Sequence, residues 1–382
     1  GNISGFYSNL VAYGRLITQV GVIKTDLMMS YIPNNQNIKF KGKIGTQDFN
    51  LNRLLGKDTK LQHLSMNVEV DGEIPQNKKI TGKVSGRINS FTYNGYDFND
   101  ITIDGNYSQE NASADIKYGD ENRNGNILIH SDIDFKDKIK KFNLFARVDS
   151  IKPNPLKLID SYPTFKASLI AKSQLQFTTI DDILGYISID SLSLFNDNES
   201  YNIDSLVVRA TKENDIQRIT ISSEPIRAFL EGKYTFSTLG SNLQYLLTEE
   251  LTTFKPIQLK RKQPSNDFTF SFDISPISEL TYVFEKDIYI EDTTFIRGKF
   301  SDFENSIELT AFTNNIFLGN KSMDSVSLHI HNLQEKIQLR LETTLETKLD
   351  TTDLAFSARL DNNDLDINFE WLNSVEKDFS GE

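Results

Sequence analysis

Cysteine is absent from this 382-residue chain. Its absence excludes disulfides, thiolate metal sites and a cysteine nucleophile, and sits as comfortably in an oxidising envelope as in the cytoplasm. Tryptophan occurs once, methionine and histidine four times each. No window approaches the roughly 18 consecutive apolar residues of a membrane-spanning helix, and no charged, apolar and cleavage regions of a signal peptide stand at the start. Positive charge is also short: 41 Lys and Arg against 53 Asp and Glu leave a net charge of -12. That balance disfavours a nucleic-acid backbone as partner. The chain begins at Gly1 without an initiator Met, which reads as a processed product or a piece of something longer, with any anchor or signal outside it.

What is present is strand-forming. Hydrophobic residues make up 38%, with Phe 26 and Tyr 14, enough apolar material to escape disorder. Apolar and polar residues alternate strictly in LSMNVEV (Leu64, Met66, Val68, Val70), FNLFARV (Phe142, Leu144, Ala146, Val148) and FTFSFDI (Phe268, Phe270, Phe272, Ile274). The same holds for VSLHI (Val326, Leu328, Ile330), LAFSARL (Leu354, Phe356, Ala358, Leu360) and LDINFEW (Leu365, Ile367, Phe369, Trp371). Period two places one set on each face of a strand. Parallel strands buried on both faces would read as continuous apolar runs instead, so the sheet is expected to be antiparallel. Turn signals at Asn94-Gly95, Asp104-Gly105, Asn124-Gly125 and Leu239-Gly240 point to hairpins. Typical strand and loop lengths then predict roughly 20 to 26 strands.

Four segments break the period: residues 47–56, the stretch PNPLKLIDSY from Pro153, residues 239–254 and residues 275–284. They read as short helices capping the sheet. Weak self-similarity runs through the chain. Gly-Lys followed by an apolar residue recurs at Gly42, Gly82, Gly232 and Gly298, and an Asp before an alternating strand recurs in FNDITIDG, YNIDSLVV and MDSVSLHI. Residues 1–382 therefore read as one elongated repeat segment without linkers, with diverged repeats at roughly 1–160, 161–255 and 256–382.

Chemistry is sparse. His329 and His331 share a polar strand face but find no third metal ligand, and His63 and His130 stand alone. The pairs Asp181-Asp182 and Glu249-Glu250 read as solvated, and Gly1 to Gly5 is too short to cradle a phosphate. The basic run Lys255 to Lys262 reads as a loop after a helix, with anionic lipid headgroups as its alternative. Asp followed by Ser or Thr recurs at Ser150, Ser191, Ser205, Thr293, Ser325 and Thr351. It resembles the O-glycosylation acceptor of Bacteroidetes envelope proteins, against the plainer reading that Asp-Ser opens a strand after a turn. The expectation is a non-enzyme with no catalytic, cofactor or metal site.

Residues NISGFYSNLVAYGRLITQVGVIKTDLMMS, FKGKIGTQDFNLNRLLG and LQHLSMNVEVDGE, followed by GKVSGRINSFTYNGYDFNDITIDGNY and KFNLFARVDSIKPNPLKLID, resemble the TamB branch of the AsmA-like superfamily of Bacteroidetes. The resemblance covers residues 1 to about 160, and the remainder by texture. It implies an all-β, mostly antiparallel repeat sheet curled into an open half-pipe, like the bridge-like lipid-transfer proteins. It further implies a periplasmic location, inner-membrane anchoring through a segment absent here, and docking of a TamA-type outer-membrane barrel through an absent C-terminal region. It implies no cofactor, with phospholipid or acyl chains as bound ligand, and phospholipid movement and outer-membrane biogenesis as the task. The groove would be lined by Leu64, Met66, Val68, Phe142, Leu144, Phe268, Phe270, Phe272, Leu328, Ile330, Phe356, Leu365, Ile367, Phe369 and Trp371. Two alternatives stand beside it: a scaffold or chaperone that offers sheet edges to nascent outer-membrane strands, and a surface β-rich adhesin with a dry core.

Overall fold

A computed structural model describes residues 2–6, 9–33, 36–56, 59–75, 80–197, 199–249, 263–284, 288–319, 321–333, 336–346, 351–361, 364–373 and 380–381. The chain divides into two compact units, Gly1–Thr178 with Ile189–Asn198, and Thr179–Ser188 with Glu199–Glu382.

In the first unit eleven strands follow one another in space as in sequence, each antiparallel to the next. They are β1 (Asn2–Phe6), β2 (Asn9–Thr18), β3 (Gly21–Ile32), β4 (Asn37–Asn50), β5 (Leu61–Ile74), β6 (Thr81–Tyr93), β7 (Tyr96–Tyr107), β8 (Asn111–Gly119), β9 (Asn126–Asp134), β10 (Lys140–Ile151) and β11 (Lys166–Phe177). β12 (Leu184–Asn196) is shared between the units. The second unit holds β13 (Glu199–Glu213), β14 (Ile216–Ser223), β15 (Ile226–Lys233), β16 (Asp267–Ile274), β17 (Ile288–Ile290), β18 (Thr294–Ser301), β19 (Ser306–Leu318), β20 (Lys321–Leu333), β21 (Lys336–Glu346), β22 (Thr351–Asp361), β23 (Asp364–Asn373) and β24 (Ser380–Gly381). There β16 pairs directly with β18, and the short β17 lies against β19. All these pairings are antiparallel, and among the described residues none closes either ladder into a barrel. The fold is an open all-β sheet, as the alternation predicts.

Helices are few. Asn50 caps α1 (Leu51–Leu55), its side chain accepting from the Arg53 backbone N–H, and Gly56 ends it at φ 62°. α2 spans Phe236–Glu249 and α3 spans Ser278–Val283. The Pro153 segment is not helical. Pro153 and Pro155 remove two donors, Lys157 and Tyr162 take positive φ, and the stretch folds as successive turns around the fully buried Leu156. Asn94-Gly95 forms the expected two-residue hairpin turn, with φ of 51° and 75° and Tyr93 paired to Tyr96. Asn124-Gly125 lies in the turn before β9. Asp104-Gly105 instead lies inside β7, and Leu239-Gly240 inside α2. Neither is a turn: at Gly105 the missing side chain serves close packing, since a Cβ would stand 3.3 Å from both Ser113 O and Val84 Cγ1. Residues 250–254 of the third predicted segment and the basic run Lys255 to Lys262 lie outside the described residues.

The Asp-Ser motif has a backbone meaning. Ser150, Ser191 and Ser325 adopt φ of 49°, 52° and 53°, inside strands rather than at their starts. At two of them the pairing register shifts, between Val148 and Ile151 and between Asp324 and Ser327. An extra residue in a left-handed conformation is a β-bulge, and it inverts the phase of alternation. In Val148-Asp149-Ser150-Ile151 it keeps Val148 and Ile151, three residues apart, on one face. Asp48 does the same between Thr46 and Phe49 in β4. The bulged N–H groups find matching partners: Asp48 N donates to Ser65 Oγ at 3.0 Å and Ser150 N to Ser168 Oγ at 2.8 Å. Thr293 and Thr351, by contrast, do stand at strand openings.

Ser150→Val and Ser325→Val are expected to lower the thermal midpoint, because a β-branched residue in the left-handed region costs about 1–2 kcal/mol. The corresponding Ser→Gly changes are expected to be neutral or stabilising. A regular strand at these positions predicts the opposite order, with valine favoured, so the sign of the difference decides.

Candidate functional site

The site is a sheet face, assembled row by row. In the second unit Val208, Ile221, Ala228, Phe272, Ile296, Ala311, Leu328, Leu341, Phe356 and Phe369 stand opposite one another in turn across ten strands. A second row joins Ala210, Ile219, Leu230, Phe270, Gly298, Leu309, Ile330, Leu339, Ala358 and Ile367 over the same strands. No polar side chain interrupts either. In the first unit one row runs through Ile44, Val68, Gly86, Ile103, Ile116, Ile129, Ala146 and Ala171. Each cross-strand apolar pair adds roughly 0.2–1 kcal/mol relative to alanine, so the rows also hold register.

The fifteen residues expected to line the groove have mixed cross-strand neighbours: most stand opposite apolar residues, while Leu144 stands between Ser131 and Ser173, and Met66 between Thr46 and Ile88. Leu64 pairs with Phe49 and Phe91, and Phe142 with Ile133 and Leu175. Leu365 pairs with Leu360, and Trp371 with Leu354. Rows in the first unit pass through glycine, alanine and serine and present a thinner apolar surface. The sequence reading missed the contributions of β13, β14, β15, β18, β19 and β21 to these rows, although KIQLRLETTLE alternates Ile337, Leu339 and Leu341 plainly enough to have shown the last.

This face is half-buried rather than sealed: of the twenty row residues in the second unit only Ile367 and Phe369, both on β23, are exposed, and the other eighteen are half-buried. β23 is the extreme case: Ile367 is 59% exposed and Phe369 45%, with the Trp371 ring 5.8 Å from that of Phe369. Phe268, at 6% exposed, has a different fate. It packs with Tyr234, Leu246 and Phe300 beneath α2, whose Leu239 and Leu243 complete a dry cluster. Burial there pushes the Tyr234 phenol up to about 12. Phe268 is core, while Phe270 and Phe272, two and four residues along the strand, are half-buried.

α2 is pinned by polar groups at its rim. The buried Asp302 carboxylate accepts from Asn242 Nδ2 and Asn266 Nδ2, both at 2.6 Å, and from the backbone N–H of Ser265 and Asn266 at 2.8 and 2.9 Å. Asp181 caps the helix start, accepting from Ser237 N at 2.9 Å and Ser237 Oγ at 2.8 Å. This carboxylate pair therefore holds structure.

The opposite face is polar and ion-paired. Lys39, Lys41 and Lys43 on β4 stand opposite Glu73, Asp71 and Glu69 on β5 at 4.0, 2.8 and 3.3 Å. A depression of about 780 Å³ opens among Arg15, Lys24, Lys43, Asn67, Glu69 and Arg87 in the first unit, and one of about 740 Å³ among Glu342, Thr344, Asp353 and Glu370 in the second. His329 contacts Ser327 Oγ at 3.0 Å, His130 lies 2.8 Å from Asp115 and His63 2.7 Å from Asp48. No group of three metal-ligating side chains occurs among the described residues. Of the Asp-Ser/Thr hydroxyl positions, Ser150, Ser191, Ser205 and Ser325 are exposed, and Thr293 and Thr351 half-buried.

No family model, curated protein or solved structure matches this chain.

Asp302→Ala is expected to lower the unfolding midpoint by the equivalent of about 1–3 kcal/mol, because it strands buried donors. Binding of a hydrophobic dye should rise as α2 loosens over Phe268 and Phe300. An unchanged midpoint with unchanged dye binding would show that the apolar cluster alone seats the helix.

Proposed function

We propose that the chain is a hydrophobic β-conduit that carries phospholipid acyl chains between the two membranes of a cell envelope and thereby supports outer-membrane biogenesis. The observation that carries the reading is the pair of uninterrupted apolar rows across ten strands of the second unit, ending on the exposed β23. Soluble proteins cover such a surface or use it. Each methylene withdrawn from water against it contributes about 0.8 kcal/mol, so a tail laid along the rows recovers much of what it loses on leaving a bilayer. The rows repeat one chemistry from strand to strand, which offers a sliding chain no single deep site.

The resemblance of residues 1–160 to the TamB branch supports the same reading, and with it a periplasmic location, a TamA-type barrel as partner and an all-β groove without catalytic chemistry. The anchor and the barrel-docking region would belong to other parts of the protein.

Mass spectrometry of lipids co-purifying in detergent-free extraction tests the proposal. Wild type should carry stoichiometric phospholipid, and the double substitution Ile367→Asp with Phe369→Asp should lose most of it while keeping its thermal midpoint, since both side chains are exposed. A folded wild type without lipid sinks the conduit reading and leaves the scaffold and the adhesin.

A further inference from the structure

The connection between β9 and β10 with the first two residues of β10 reads Phe135-Lys136-Asp137-Lys138-Ile139-Lys140-Lys141, four lysines against one aspartate in a chain of net charge -12. Lys136 lies 3.8 Å from Glu110. Lys138, Lys140 and Lys141 are exposed and in no ion pair among the described residues, although Lys141 stands opposite Asp134 in register. Ile139, 53% exposed, sits among them. At the base of the tip the Phe135 and Tyr107 rings lie 6.1 Å apart, and Phe135 N donates to Glu110 O at 2.8 Å. Tyr107 belongs to the row Tyr107, Ala112, Ile133, Phe142 and Leu175 of the apolar face. Lys140 precedes Phe142 by two residues on β10, which puts it on the same face.

We infer that this hairpin tip docks on an anionic phospholipid surface. Its free lysines meet the headgroups, Ile139 and the aromatic pair enter the interface, and a tail drawn out there meets the Tyr107–Phe142 row directly. Clustered lysines beside exposed apolar groups are what an anionic interface selects, and local positive charge in an acidic chain is the complement such a surface requires. The inference rests on the lipid reading and names where a lipid would enter and of which charge.

The test is flotation of the full chain with vesicles of phosphatidylcholine alone and of phosphatidylcholine with about one-third phosphatidylglycerol. Wild type is expected to float with the anionic vesicles, less so as salt rises from about 0.1 to 0.5 M. The triple change K138Q/K140Q/K141Q should weaken this at least tenfold, as removal of three surface lysines requires, and Ile139→Asn should weaken it less. All are exposed positions, so thermal midpoints should match. Wild-type flotation that is absent, indifferent to lipid charge or unchanged in the triple variant overturns the inference. Lysine-dependent flotation of a chain that co-purifies no lipid keeps the membrane contact and removes the conduit; co-purified lipid with lysine-independent flotation does the reverse.

Discussion

A slip of one residue between any two neighbouring strands would turn an apolar row to the polar face, because side chains alternate with period two. Both ladders depend on preventing that slip. The lysines at 39, 41 and 43 facing Glu73, Asp71 and Glu69 contribute little as exposed ion pairs. Their value is in register, since a slipped β4 would press three ammonium groups into the rows of Ile44 and Val68. In the second unit the registers of other strand pairs bring Leu328 to Leu341 and Phe356 to Phe369.

Long strands make that constraint harder, because intrinsic twist carries the two faces out of alignment along their length. Bulges are the response. Where a strand needs its apolar phase reset, a residue in the left-handed region does it, and Asp-Ser supplies the polar, unbranched side chains that tolerate such backbone. Glycine answers a related demand at Gly42, where φ is 148° and a Cβ would stand 2.0 Å from the Asp26 carbonyl oxygen. The Gly-Lys recurrence then reads physically: at Gly42-Lys43 the glycine allows close backbone approach on the apolar side, and the lysine takes an ion pair on the other.

Covering an apolar sheet face takes helices, and this chain has few. α2 shields the margin around Phe268 and Phe300, and α3 lays the fully buried Val283 against β13. The rest of the rows remain half-buried or exposed, which is the observation behind the proposal of a surface for acyl chains. On that proposal the basic tip between β9 and β10 would receive the headgroup of a tail entering the rows.

Alternation in segments such as FTFSFDI and LDINFEW determined the all-β, antiparallel character and the membership of the apolar face, since period two is a local property that tertiary structure cannot hide. Asn94-Gly95 determined its hairpin in the same way. The bulges were only partly written locally: an apolar residue, Asp, Ser and a second apolar residue mark those at Ser150 and Ser325, but the same pattern around Ser205 carries no left-handed residue and the bulge at Asp48 lacks it, so the partner strand decides. What tertiary structure alone decided was the contrast between Phe268 and Phe270. The two have the same type, strand and face, and differ because α2, which precedes them in the chain and is held by Asp302, lies over one more than the other. Burial is set by what packs from elsewhere in the chain, and no periodicity within a strand records it.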